Sequence, residues 1–133
     1  MTQIRPTMLA SLTLGILDLS RARAWGSGGM GHYDHVGALG AVPPAITVAL
    51  WLIAGIAMLA AYWSIPARIV GISLTAALHA SVAVSALVAY IDPGSTVMES
   101  TIGSYGAIAV LTLLTTRMTD NVTVLEGRAD AGE

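Results

Sequence analysis

The side chains able to do chemistry fall in three places. His32-Tyr33-Asp34-His35 is the densest polar cluster of the chain. Histidines three apart can share one helical face and both reach a metal ion. No third ligand follows nearby and glycines surround the pair, so the cluster reads as a polar interfacial loop and no metal is assigned. His79 stands alone in an apolar run from Ala67 to Tyr90, and an ionisable residue in such a run is a functional candidate. Thr75, four residues earlier, shares its helical face. A neutral imidazole bonded to a helix hydroxyl or carbonyl is therefore the simplest reading, with proton transfer as the alternative. Asp18 is the one carboxylate that could lie at membrane depth, and Arg21 at i+3 is placed to pair with it. The segment Gly26–Gly31, GSGGMG, has no Gly-Lys-Ser/Thr ending and no preceding strand, so it is not a phosphate loop. No Ser–His–Asp order is compelling, and the absence of cysteine excludes disulfides, thiolate metal sites and thiol nucleophiles. No catalytic residue, cofactor or metal is assigned, and the chain reads as a non-enzyme.

The elements that would hold these residues are apolar. Hydrophobic residues make up 55% of the 133 positions and charged ones 11%, against about 25% charged in soluble domains. Mean hydropathy is +0.74. A net charge of −2 is too weak to point to nucleic acid. Ala67–Tyr90 is long enough to cross a hydrocarbon core of about 30 Å at about 1.5 Å per residue. Residues 45–64 form a second apolar run behind Pro43-Pro44, ending in Tyr62-Trp63 as in an aromatic belt. Ile65-Pro66 reads as a tight turn that makes the next helix antiparallel. Residues 7–23 are a marginal first span interrupted by Asp18. An interfacial amphipathic helix is the competing reading, and a signal sequence is disfavoured by Asp18, Arg21 and Arg23 before the Ala22-Arg23-Ala24 pattern. Residues 24–44 form a Gly-rich connector, with a short helix expected over His32–Leu39. Thr96 and Glu99 form a capping box after Asp92-Pro93-Gly94, opening a fourth span over 97–117. Residues 119–133 are a polar tail expected to be disordered.

The predicted fold is thus an all-α integral membrane bundle of four antiparallel transmembrane helices with short loops, occupying residues 1–118. Ser73, Ala77, Ser81, Ser85 and Ala89 recur every four residues and lay a small-residue stripe along one face. Gly103 and Ala107 offer a second pair, and such faces let helices approach closely. Arg68 in the second loop and Arg117 and Arg128 after the last span place those segments, and the C-terminus, on the cytoplasmic side of a bacterial inner membrane. Arg21 and Arg23 then run against the positive-inside rule.

Asp92-Pro93-Gly94-Ser95-Thr96 followed by Ser104-Tyr105-Gly106-Ala107 resembles small four-span membrane proteins of tailed bacteriophages and prophages. In these an Asn/Asp-Pro-x-Ser-Thr turn leads into a last helix with an early tyrosine. The layout of a short first helix, a Gly-containing connector and three tightly joined spans is similar as well. The connector Ser20–Trp25 departs from that pattern. The resemblance implies a phage setting and, for some members, holin-like activity. The topology also resembles redox-associated membrane proteins of the DoxX type, although residues 45–64 lack the acidic residue expected there. The leading expectation is a protein that self-associates in the lipid bilayer through its small-residue faces. The alternatives are a non-lytic interaction protein (an exclusion factor or virion component) that binds a protein partner through residues 24–44, and a redox or proton-coupled subunit using His79 or His32 and His35.

Overall fold

The computed structural model describes residues 6–27, 42–91 and 101–115. Among the described residues there are four helices and no strand: α1, Pro6–Gly26; α2, Pro44–Ala60; α3, Ile65–Ile91; and α4, Thr101–Thr115. Helix α1 runs three residues past the expected 7–23, and the turn after α2 comes earlier than expected. Residues 61–63 form that turn, with the N–H groups of Trp63 and Ser64 bonded to the Ala60 carbonyl at 3.0 and 3.2 Å. Ser64 then caps α3, its hydroxyl oxygen accepting the Ala67 N–H at 3.3 Å. Ile65-Pro66 is therefore the first turn of α3 and not a separate turn, because a proline two residues after the cap loses no helical hydrogen bond.

The all-helical fold agrees with the sequence reading, but four equal spans do not follow from the helix lengths. Among the described residues, α3 is the one helix both long and apolar enough to cross a membrane by length and composition. Helix α2, at 17 residues, spans about 25 Å, short of a core of about 30 Å. Helix α4 is shorter still, and α1 carries Asp18, Arg21 and Arg23. The expected capping box at Thr96 and Glu99, the short helix over 32–39 and the tail over 119–133 lie outside the described residues.

Glycines set how closely the helices cross. A Cβ built on Gly15 would lie 3.1 Å from the Gly55 carbonyl oxygen, and one on Gly55 would lie 3.0 Å from the Gly15 carbonyl oxygen. The backbones of α1 and α2 therefore touch at that point. Helices α2 and α3 do the same where a Cβ on Gly71 would meet the Met58 nitrogen at 2.8 Å. Gly15 lies by Gly55 and Leu59, and Leu19 lies by Gly55, so the two chains run antiparallel. Helix α3 is antiparallel to α2 in turn, with Gly71 beside Met58 and His79 beside Trp51. The core cluster draws on every helix: Ala22 and Trp25 of α1, Trp51 of α2, Leu78 and Val82 of α3, and Tyr105 of α4.

Polar side chains are buried beside this apolar core. Asp18, Thr47, Thr75, His79, Ser85 and Thr112 are buried. Leucines, isoleucines and valines cover the outside of all four helices, including Ile16, Ile56, Ile69 and Leu111, each at least 60% exposed. Tyr62 and Trp63 stand exposed at the α2–α3 turn, their rings packed edge to face at 5.3 Å.

Candidate functional site

Four helices bring one polar group each, or more, to a single level of the interior. Asp18 of α1 and His79 and Thr75 of α3 have no exposed surface. The Thr75 hydroxyl donates to Asp18 Oδ2 at 2.5 Å. His79 Nδ1 lies 2.8 Å from the Thr75 carbonyl oxygen and 3.9 Å from Asp18 Oδ1. A carbonyl oxygen can only accept, so Nδ1 carries a hydrogen, and in a neutral ring Nε2 would then hold the lone pair. Trp51 of α2 presses against the imidazole in a T-shaped contact, ring centroids 4.9 Å apart, and the Tyr105 ring of α4 lies 5.6 Å away on a tilt of 38°. The Arg21 guanidinium covers the Tyr105 ring at 4.6 Å from its centroid. A cation on an aromatic face is stabilised by the ring quadrupole, and more so where water is excluded.

This arrangement answers two questions left by the sequence. The carboxylate near His79 is Asp18, separated from it by 61 positions in the chain and joined to the same threonine. Asp18 is bonded across to α3, and no ion pair between Asp18 and Arg21 forms within 4 Å; Arg21 turns to Tyr105 instead. The i+3 spacing made the local pair possible, but the helix crossing offered Asp18 a hydroxyl donor in the interior. His79 does bond to the Thr75 carbonyl one turn back, the local partner that the shared helical face suggested. Several atoms of this interior have no hydrogen-bond partner among the described residues: Asp18 Oδ1, His79 Nε2, Arg21 Nε, the indole nitrogens of Trp25 and Trp51, and Ser85 Oγ.

Sequence reasoning missed Trp51 and Tyr105 as parts of this site, because an aromatic residue inside an apolar run gives no signal of which neighbour it touches. It also missed Gly15, Gly55 and Gly71 as the close-packing positions. Their signal was present, since each is a lone glycine inside an apolar helix. The expected packing residues divide. Ser85 and Ala89 are buried, Ser81 is half-buried, and Ser73, Ala77, Gly103 and Ala107 are exposed. The Ser81 hydroxyl is satisfied inside its own helix by the Ala77 carbonyl at 2.8 Å. A Cβ added to Gly103 or Gly106 would meet nothing within 4 Å. Between the exposed part of the stripe and α4 lies an open groove of about 630 Å³, walled by Ser73, Ala77, Ala80 and Ala83 on one side and Gly106 and Ala109 on the other, and lined as well by Val84, Val110 and Leu113. His32 and His35 lie outside the described residues. Among the described residues no three of His, Cys, Asp and Glu come together as metal ligands, and Asp18 with His79 supplies only two donors.

The chain matches no protein-family model, no curated protein and no solved structure.

Proposed function

We propose that the protein is a small integral membrane protein whose bundle self-associates in the bilayer, with the bacterial inner membrane as its setting and a holin-like role as its activity. The observation that carries this reading is the open small-residue groove between α3 and α4, set in an outer wall made of exposed Leu, Ile and Val. Lipid tails are as apolar as leucine, so association in a bilayer depends on close backbone approach, which small side chains permit. Ser73, Ala77 and Ala80 are exposed, and Gly106 has open space where a Cβ would stand. A second copy of the chain can approach there more closely than anywhere on the leucine-covered faces. The polar interior and the exposed aromatic pair at the α2–α3 turn suit a bundle with lipid outside, its shorter helices spanning with local thinning of the bilayer. The cytoplasmic placement of the second loop and C-terminus belongs to the same proposal and rests on Arg68, Arg117 and Arg128.

The test replaces Ala77 and Ala80 with Leu, filling the groove without touching the interior. Wild type reconstituted in nanodiscs should cross-link into dimers and larger species, and the double variant should remain monomeric with unchanged helicity. Regulated expression in a bacterial host, followed with a potential-sensitive dye, reads the lytic part. Abrupt depolarisation lost in the double variant supports a holin-like pore. Oligomers with an intact potential would shift the role to a non-lytic scaffold, and monomeric wild type would refute self-association itself.

A further inference from the structure

A buried carboxylate and a buried imidazole share one threonine at the centre of the bundle, and self-association makes no use of them. We propose that Asp18 and His79 form one proton-binding site: a single proton binds to the pair, on Asp18 Oδ1 or His79 Nε2, and changes the buried charge where α1 meets α3.

Three observations carry it. First, each group keeps one position open for a proton. Thr75 occupies Asp18 Oδ2 and its carbonyl occupies His79 Nδ1, while Oδ1 and Nε2 are buried without a hydrogen-bond partner among the described residues. Second, the two groups are close enough to titrate together. Nδ1 and Oδ1 are 3.9 Å apart, and both side chains have no exposed surface. At that separation in a water-poor interior, protons come on in steps that belong to the pair and not to either residue. Third, the surrounding charge is sparse. Among the described residues the titratable and charged groups facing the pair are Arg21 from α1 and Tyr105 from α4; α2 has no titratable residue and presents Trp51. Ionised Asp18, neutral His79 and Arg21 sum to zero, so the site neutralises one fixed cation when empty of the extra proton and carries a net positive charge when it holds it.

The interior also provides polar groups along one direction. Trp25 lies seven residues beyond Asp18, and Ser85 lies six beyond His79. Both helices run antiparallel to α2, so the two residues sit toward the same end of the bundle, about 10 Å from the pair. The Trp25 and Trp51 indole N–H groups and Ser85 Oγ are buried without a partner among the described residues.

The experiment uses the full chain in phosphatidylcholine–phosphatidylglycerol nanodiscs with ¹⁵N-labelled histidine. Loss of one signal set in His79→Gln assigns His79 against His32 and His35. The imidazole nitrogens are followed across the pH range in which near-ultraviolet circular dichroism shows the fold intact. The expected result is that His79 titrates in wild type and that Asp18→Asn weakens its proton affinity by about tenfold or more, since an opposite charge at this range is removed. Should Asp18→Asn fail to fold, the infrared carboxyl band displaced in Asp18→Glu and moved by His79→Gln reads the same coupling from the other partner. A His79 ring that holds one neutral tautomer throughout while the Asp18 carboxyl band also stays unchanged over the same pH range, or a titration indifferent to Asp18→Asn with an Asp18 band indifferent to His79→Gln, overturns the proposal.

Discussion

Adding one methyl group at Gly71 should destabilise the bundle, whereas the same methyl at Gly103 should not. A Cβ at Gly71 would stand 2.8 Å from the Met58 nitrogen and 3.0 Å from the Ala57 carbonyl carbon. Carbon contacts are comfortable at about 3.5–4.0 Å, so α2 and α3 must separate by roughly 0.5–1 Å, which forfeits about a quarter to a half of each affected contact. The Met58 sulfur, 2.9 Å from the added carbon, can swing aside, but the two backbone atoms cannot. Overpacking of this kind costs about 1–3 kcal/mol. Alanine recovers about 0.5–1 kcal/mol over glycine in a helix interior. The net expectation for Gly71→Ala is a loss of about 1–2 kcal/mol, or about five- to thirtyfold in the folding equilibrium. Gly103 has nothing within 4 Å of its would-be Cβ, so Gly103→Ala keeps the gain of about 0.5–1 kcal/mol. Unfolding by SDS titration in mixed micelles, followed by tryptophan fluorescence, measures both. A Gly71→Ala protein as stable as wild type, or a Gly103→Ala protein destabilised as much, would refute the close crossing of α2 and α3.

Four further substitutions test the interior by the same unfolding measurement. Thr75→Val keeps the volume but leaves Asp18 Oδ2 without its donor, and should cost about 1–3 kcal/mol; a neutral effect would mean that the carboxyl is not held there. Trp51→Ala removes a fully buried indole that contacts His79, and should cost about 3–5 kcal/mol, with a change of His79 chemical shift as its local signature. Gly15→Ala and Gly55→Ala strike the same backbone crossing from opposite sides. Once either methyl has parted the helices the second meets less resistance, so the double variant should lose less than the sum of the two, by about 0.5 kcal/mol or more; strict additivity would place the two glycines at independent contacts.

The helices were legible in the sequence because each cue for them is local. Apolar runs mark α2, α3 and α4, Pro44 marks the first turn of α2, and the polar positions of α1 leave it visible but ambiguous. The misplacement of the α2–α3 turn was local as well: Ser64 could have been recognised as a cap three residues before Ala67, which would have put Ile65-Pro66 inside the helix. The small-residue stripe on α3 was also legible as a pattern, but not its division into a buried half and an open half. That division depends on which neighbours cover the helix, and a stripe of period four carries no information about them.

The meeting of Asp18 with His79 required information of another kind, namely the register of three helices, and the glycines supply it. Gly15 against Gly55 fixes α1 on α2; Asp18 is then one turn above Gly15 and Trp51 one turn below Gly55 in chain number, so the two arrive at the same height. Gly71 against Met58 fixes α3 on α2 independently. From that crossing Trp51 is seven residues away along α2 and His79 eight along α3, about 10 and 12 Å in the same direction, which agrees with their 4.9 Å ring contact. Thr75 lies between, within reach of Asp18. A slip of one residue at either crossing would turn Asp18 or His79 by about 100° away from the interior and leave the other buried alone, a state far costlier than the pair. The three glycines and the polar pair therefore specify the same register twice, once by steric approach and once by the demand of a buried charge for its partner. This is why Gly71→Ala should be felt at His79 as well as in the stability of the bundle.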